Sequence, residues 1–117
     1  MRLNEVDFND AKPVEGYGPG FFRVGGKALS APLCLSARGT SDWGGLEDAD
    51  TLLQLADETD VIFVGTGPEI ARLPKAVQTK LDAAGVGVEV MNSPSACRTY
   101  NVLLSEGRRV ALALMPV

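Results

Sequence analysis

The sequence predicts an α/β fold: a mixed central sheet with flanking helices and an N-terminal β-hairpin region, in the order β-β-β-α-β-α-β-α-β. Three observations predict it. Val61-Ile62-Phe63-Val64 is apolar on both faces, as a strand covered by helices on each side requires. Downstream, stretches of helical period alternate with short apolar runs, the pattern of a sheet with helices packed on it. Upstream, Gly25-Gly26 separates two strand-like stretches, and two adjacent glycines tolerate the positive φ of a tight hairpin turn.

Taken in order, Val14 to Gly20 reads as a turn-rich lead-in, and Phe21-Phe22-Arg23-Val24 and Lys27-Ala28-Leu29-Ser30 are the hairpin strands. Pro32-Leu33-Cys34-Leu35-Ser36 is a third strand, with Pro32 at its start, where a missing donor does least harm. Ala37 to Gly45 is a polar loop holding the only tryptophan, Trp43, which either lids the core edge or anchors a ligand or partner. From Leu46 to Thr59 the period becomes helical, with Leu46, Ala49, Leu52, Leu53 and Ala56 on one face. Glu47, Asp48 and Asp50 fall in its first turn, where acids complement the helix dipole, so helix-start chemistry accounts for them without a metal.

Val61 to Val64 is then the middle of the sheet, leaving through Gly65-Thr66-Gly67-Pro68. A second helix runs from about Pro74 to Ala84, with Pro74 in its first turn and Gly85 as C-terminal cap. Val86 to Met91 is the next strand. The third helix spans Ser93 or Pro94 to Glu106 and stops at Gly107, and Arg109 to Met115 is the last strand, ended by Pro116.

The 117 residues are read as one domain, 1–117, long enough to bury a real core. Fifteen acids against eleven bases give a net charge of -4, which argues against a phosphate-backbone binder, so no nucleic acid partner is expected. Two cysteines without a CxxC pair, and no histidine at all, remove most zinc and redox readings and the usual general base. No metal and no cofactor are expected. Both thiols read as small core residues in a reducing, cytoplasmic setting. The longest apolar run, Val110 to Met115, is far short of the ~20 residues of a membrane span, so direct membrane insertion is not expected. Met1-Arg2-Leu3-Asn4-Glu5 carries neither a signal-peptide apolar region nor an organelle presequence.

Two neighbouring places are candidate sites. Gly65, Thr66 and Gly67 at one strand exit, with Ser93 and Ser95 at the start of the third helix, offer close-approaching amides, a hydroxyl and a helix N-terminus for an anion, although a tight strand exit explains the glycines equally well. On a helical wheel Ala96, Cys97, Tyr100, Leu103 and Leu104 turn to the core, while Arg98, Asn101 and Ser105 stand opposite, with Val102 beside them. Arg98 near the positive end and Glu106 near the negative end both oppose the helix dipole, so each calls for a partner elsewhere, with Arg108 or Arg109 available to Glu106.

Ala96-Cys97-Arg98-Thr99-Tyr100-Asn101-Val102-Leu103 followed by Glu106, Arg108 or Arg109, Val110 and Ala111, and preceded by Gly65-Thr66-Gly67 and Gly20-Phe21-Phe22-Arg23-Val24, resembles a family of small α/β domains of unknown function. Its eukaryotic members include a mitochondrial complex I assembly factor and the adipogenesis-associated Mth-type domain protein. The resemblance covers roughly Val14 to Met115. It implies a bacterial Mth-type α/β domain without cofactor that acts through protein contacts, with Arg98, Thr99, Tyr100 and Asn101 as candidate contact residues.

The expected function is therefore a non-catalytic protein-interaction domain, an assembly or biogenesis factor for respiratory or other membrane complexes whose partners include their subunits. The alternative is a small-molecule anion or nucleotide-binding domain on Gly65 to Gly67. An enzyme of unknown reaction, with Glu106 or Glu89 as base and Arg98 or Lys27 as electrostatic aid, is a third reading, and the expectation is against catalysis. A homodimer is a further expectation, because the hairpin edge around Gly25-Gly26 can pair with a copy and adjacent Phe21 and Phe22 point to opposite sides of their strand.

Overall fold

The computed structural model describes residues 11–117, so the reading of Met1 to Glu5 lies outside the described residues. The elements are β1 (Val14–Gly18), β2 (Phe21–Val24), β3 (Lys27–Ser30), β4 (Leu33–Ser36), β5 (Gly39–Asp42), α1 (Ala49–Ala56), β6 (Val61–Gly65), α2 (Lys75–Ala83), β7 (Val88–Met91), α3 (Ser93–Ser105) and β8 (Val110–Leu114). The mixed α/β architecture and the alternating order from α1 onward are as the sequence predicts.

Two strands enlarge the expected set. The lead-in is β1, antiparallel to β2 with Gly18 opposite Phe21 and Tyr17 opposite Phe22. The loop before Trp43 contains β5, antiparallel to β4 from Leu33 opposite Asp42 to Ser36 opposite Gly39. Neither has its own apolar alternation, because cross-strand pairing rather than local composition makes these residues strands.

The strands form two sheets, β1-β2-β3 and β5-β4-β8-β6-β7. In the larger one β6 is parallel to both β7 and β8, while β8 is antiparallel to β4. The middle of that sheet is β8, not Val61 to Val64, and all five β8 residues are buried. Its side chains alternate between two cores, as a period of two demands. Val110, Leu112 and Leu114 join Phe22, Val24, Leu33, Leu35, Phe63, Cys97 and Tyr100 beneath α3 and the small sheet. Ala111 and Ala113 join Cys34, Trp43, Leu52, Ile62, Val64, Val77 and Leu81 beneath α1 and α2. Cys34 and Cys97 therefore occupy different cores and are free thiols.

Helix ends follow local hydrogen bonding. Asp48, inside the predicted span of α1, is its N-cap: the carboxylate accepts from Thr51 N at 3.1 Å and from Gly44 N at 2.9 Å, which holds Leu46 and Glu47 ahead of the helix. Pro74 is likewise the N-cap of α2 rather than a residue of its first turn. Trp43 is buried and its indole N–H donates to Asp48 O at 3.1 Å, so it seals the core edge and presents no ring to a ligand. Phe22 is fully buried, and the half-buried Phe21 ring lies over Gly18, where a Cβ would come within 2.5 Å of it. Hence neither phenylalanine of the hairpin is left uncovered. Among the described residues no helix is long and apolar enough to cross a membrane.

Candidate functional site

The exit of β6 and the start of α3 lie side by side, as expected, and they consume each other's hydrogen-bonding groups. Ser93 N donates to Gly67 O at 2.7 Å, Gly67 N donates to Ser93 Oγ at 2.9 Å, and Ser93 Oγ donates to Met115 O at 2.8 Å. Asn92 caps the helix, accepting from Ser95 N on its side chain at 2.8 Å and from Ala96 N on its carbonyl at 3.0 Å, while Pro94 has no N–H to offer. The first-turn amides of α3 are thus all committed. Thr66 N donates to Met91 O at 2.9 Å, and its hydroxyl donates to Glu69 O at 2.8 Å and accepts from Ala71 N at 2.9 Å.

Gly65 admits no side chain, because a Cβ would stand 2.7 Å from Ser93 Cα and 2.8 Å from a Leu114 methyl. Gly67 has φ +107°, which a side chain would strain. The glycines therefore serve the close approach of α3 to the strand end. The expected anion cradle is a joint whose donors the chain itself occupies, and Ser93 in its centre is fully buried.

Along α3 the expected core side holds: Ala96, Cys97 and Tyr100 are buried, with Leu103 and Leu104 half-buried against the same core. Tyr100 is no surface residue. Its hydroxyl donates to Lys12 O at 3.0 Å, and burial, with a smaller contribution from Cys97, pushes the phenol upward. Burial likewise pushes the Cys97 thiol up to about 12, against a small opposing pull from Arg98, and the Cys34 thiol up to about 12.

Asn101, placed on the outward side by the wheel, turns to the small sheet instead. Its Oδ1 accepts from Val14 N and its Nδ2 donates to Val14 O, each at 2.9 Å, so its amide completes the backbone pairing of β1. Thr99 is half-buried with its hydroxyl 3.6 Å from Met91 Sδ.

What remains outward is Arg98, Val102, Ser105 and Glu106. Arg98 Nη2 donates to Ser95 Oγ at 3.1 Å, its only side-chain hydrogen bond among the described residues, and no carboxylate pairs with it there. Val102, one turn further on, is 55% exposed. Glu106 is exposed, and Arg109 pairs not with it but with Asp60 at 3.2 Å. Glu89, on β7, is exposed as well.

Two surfaces escaped the sequence reading. One is a broad depression around Ile70, which is 66% exposed, with Leu73 and Val90. The other is a groove of about 410 Å³ between the β2–β3 hairpin and the β4–β5 turn, floored by Val24 and Leu35 and bordered by Lys12, Lys27 and Arg38. The i, i+2 spacing of Lys27 and Leu29 on a strand was its one visible signal.

With this geometry in hand, the chain matches the family model described as protein of unknown function (DUF498/DUF598) over residues 14–115. The chain belongs to the DUF498/DUF598 family. Within reach of this family lies an uncharacterised protein of Rhodobacter capsulatus, 46% identical over 117 residues, which cover 100% of this chain and 94% of that one. The human NADH dehydrogenase [ubiquinone] 1 alpha subcomplex assembly factor 3 is 30% identical over 123 residues, covering 99% of this chain and 67% of the human protein. A solution structure from Bordetella pertussis, described as a Mth938-like domain, superposes with a TM-score of 0.74 at 31% identity, covering 99% of this chain and 92% of the other. The fold seen here is thus shared with a solved bacterial domain, and the sequence relatives include proteins named as NADH dehydrogenase assembly factors.

Proposed function

We propose that this chain is a non-catalytic, cytoplasmic protein-interaction domain that assists the assembly or biogenesis of respiratory or other membrane complexes, binding their subunits through the outward side of α3. The observation that carries the reading is the pairing of exposed Arg98 and Val102 one turn apart on a helix whose other sides are committed to the core and to β1. A cation beside an uncovered aliphatic group, with Ser105 and Glu106 below, combines an apolar anchor with a polar rim, the composition of a contact surface. Two buried free thiols are consistent with a reducing compartment. The assembly-factor names of the eukaryotic relatives supply the biological setting.

The test is retention of partners from cytosolic and membrane fractions by the native protein and by an Arg98→Glu/Val102→Asp variant with an unchanged melting temperature. Native protein should hold a defined set of membrane-complex subunits that the variant loses by about tenfold or more, the loss expected when a central anchor is removed. If neither form retains a partner, the reading fails.

A further inference from the structure

We infer that the groove between β3 and the β4–β5 turn docks an extended, acidic segment of a partner protein by strand addition to β3. The inference rests on the interaction reading above but uses a different surface from α3.

β3 is an outer strand: it pairs with β2 alone among the described elements, so its far side presents backbone groups to an incoming chain. Lys27 and Leu29, two residues apart and thus on one face of the strand, both line the groove on that face, so a chain paired at the free edge of β3 would turn alternate side chains into it. Beneath them Val24 and Leu35 are buried members of the core under the small sheet, and half-buried Leu29 packs against the same core, so the floor is apolar and fixed. At the hairpin tip Gly26 N donates to Glu15 Oε1 at 2.9 Å. Gly25 and Gly26 have φ +60° and +79°, and the Lys12 stem lies across Gly25, where a Cβ would meet it at 3.3 Å.

Charge selects the occupant. The protein carries a net charge of -4, yet Lys12, Lys27 and Arg38 border this groove and no carboxylate lines it among the described residues. Arg38 is engaged by a carboxylate through two nitrogens, Nε donating to Glu58 Oε1 at 3.0 Å and Nη2 to Glu58 Oε2, which leaves the two lysines as the cations bordering the opening. Exposed ion pairs contribute little each, so charge sets the sign of the partner while backbone pairing and apolar contact hold it. A small anion would satisfy the lysines but leave the apolar floor and the β3 edge uncovered. An extended segment with acidic and aliphatic residues two apart, hence on the same face of the added strand, satisfies all three.

The experiment uses fluorescein-labelled Glu-Ser-Val-Ser-Glu-Ser-Val, its counterpart with Lys in place of Glu, and an acidic probe N-methylated at alternate amides, with the full chain and fluorescence polarisation. The acidic probe should bind at least tenfold tighter than the basic one. Lys27→Glu should weaken it at least tenfold, N-methylation should abolish it, and amide shifts in ¹⁵N spectra should centre on residues 27–30. The Arg98→Glu/Val102→Asp variant should bind the probe as the native chain does, so failure at α3 and failure at the groove are read separately. Equal binding of the two charged probes, indifference to Lys27→Glu, or shifts centred elsewhere would overturn the inference. So would displacement of the probe by ATP or inorganic phosphate at equal concentration, which marks a small-anion site, or light scattering showing a dimer paired through β3.

Discussion

The side-chain amide of Asn101 spans both backbone groups of Val14, accepting from its N–H and donating to its carbonyl at 2.9 Å each. In sequence the two residues are 87 positions apart, and in space this pair fastens α3 to the edge of the small sheet. A side chain that mimics a neighbouring strand in this way satisfies two main-chain groups that would otherwise be stranded beside the core.

Replacing Asn101 by Ala therefore leaves the Val14 N–H and carbonyl without partners in a half-buried setting. Each lost or orphaned group costs roughly 1–3 kcal/mol, so Asn101→Ala should destabilise by about 2–3 kcal/mol. The check is urea unfolding, in which the midpoint should fall while the slope stays constant. A change below about 0.5 kcal/mol would mean that water replaces the amide and that the clamp contributes nothing.

The joint between Gly65 and Ser93 makes a second prediction. Ser93→Ala orphans Gly67 N–H and Met115 carbonyl, and Gly65→Ala drives a methyl into Ser93 Cα. Losses of roughly 1–3 kcal/mol are expected for the first, from unpaired groups, and a similar loss for the second, from overpacking. Because the first-turn amides of α3 are already taken, phosphate at millimolar concentration should not raise the melting temperature of the native protein. A rise of several degrees would show that an anion displaces Ser93.

Alkaline pH supplies the third. Burial raises the Cys34 and Cys97 thiols to about 12 and shifts the Tyr100 phenol upward, whereas in the unfolded chain these groups ionise near ~8.5 and ~10. Between those values the native state keeps protons that the unfolded state releases, so stability falls as pH rises. Their contribution is fully present below pH ~8.5 and is progressively lost above it. Unfolding midpoints should decline from about pH 9 upward, less steeply in Tyr100→Phe. At pH 8 the native thiols should resist a disulfide reagent for hours and react within minutes in denaturant, since the thiolate is the nucleophile. Rapid reaction of the native protein would place at least one thiol outside the cores.

Much of the fold is written locally. The two-faced apolar run at Val61 to Val64, the Gly25-Gly26 turn and the Ala96, Cys97, Tyr100 stripe are short-range patterns whose periods match the elements they form. The resemblance carried by the segment Ala96 to Leu103 led to the correct family for the same reason, as a contiguous motif needs no tertiary knowledge. β1 and β5 were not legible, because Val-Glu-Gly-Tyr-Gly and Gly-Thr-Ser-Asp have little strand character until β2 and β4 pair with them.

The sites divide along the same line. From the residues alone, the closeness of the Gly65-Thr66-Gly67 exit to Ser93 and the outward position of Arg98 and Val102 could be derived, since both follow from strand ends and helical period. Only the tertiary structure decided that Ser93 fills the glycine-lined space, that Asn101 turns inward to Val14, and that Lys12, Lys27 and Arg38 border one groove. The reason is physical: a hydrogen-bonding side chain is spent on whichever backbone the fold brings within 3 Å, and local sequence carries no record of a neighbour contributed by the other end of the chain.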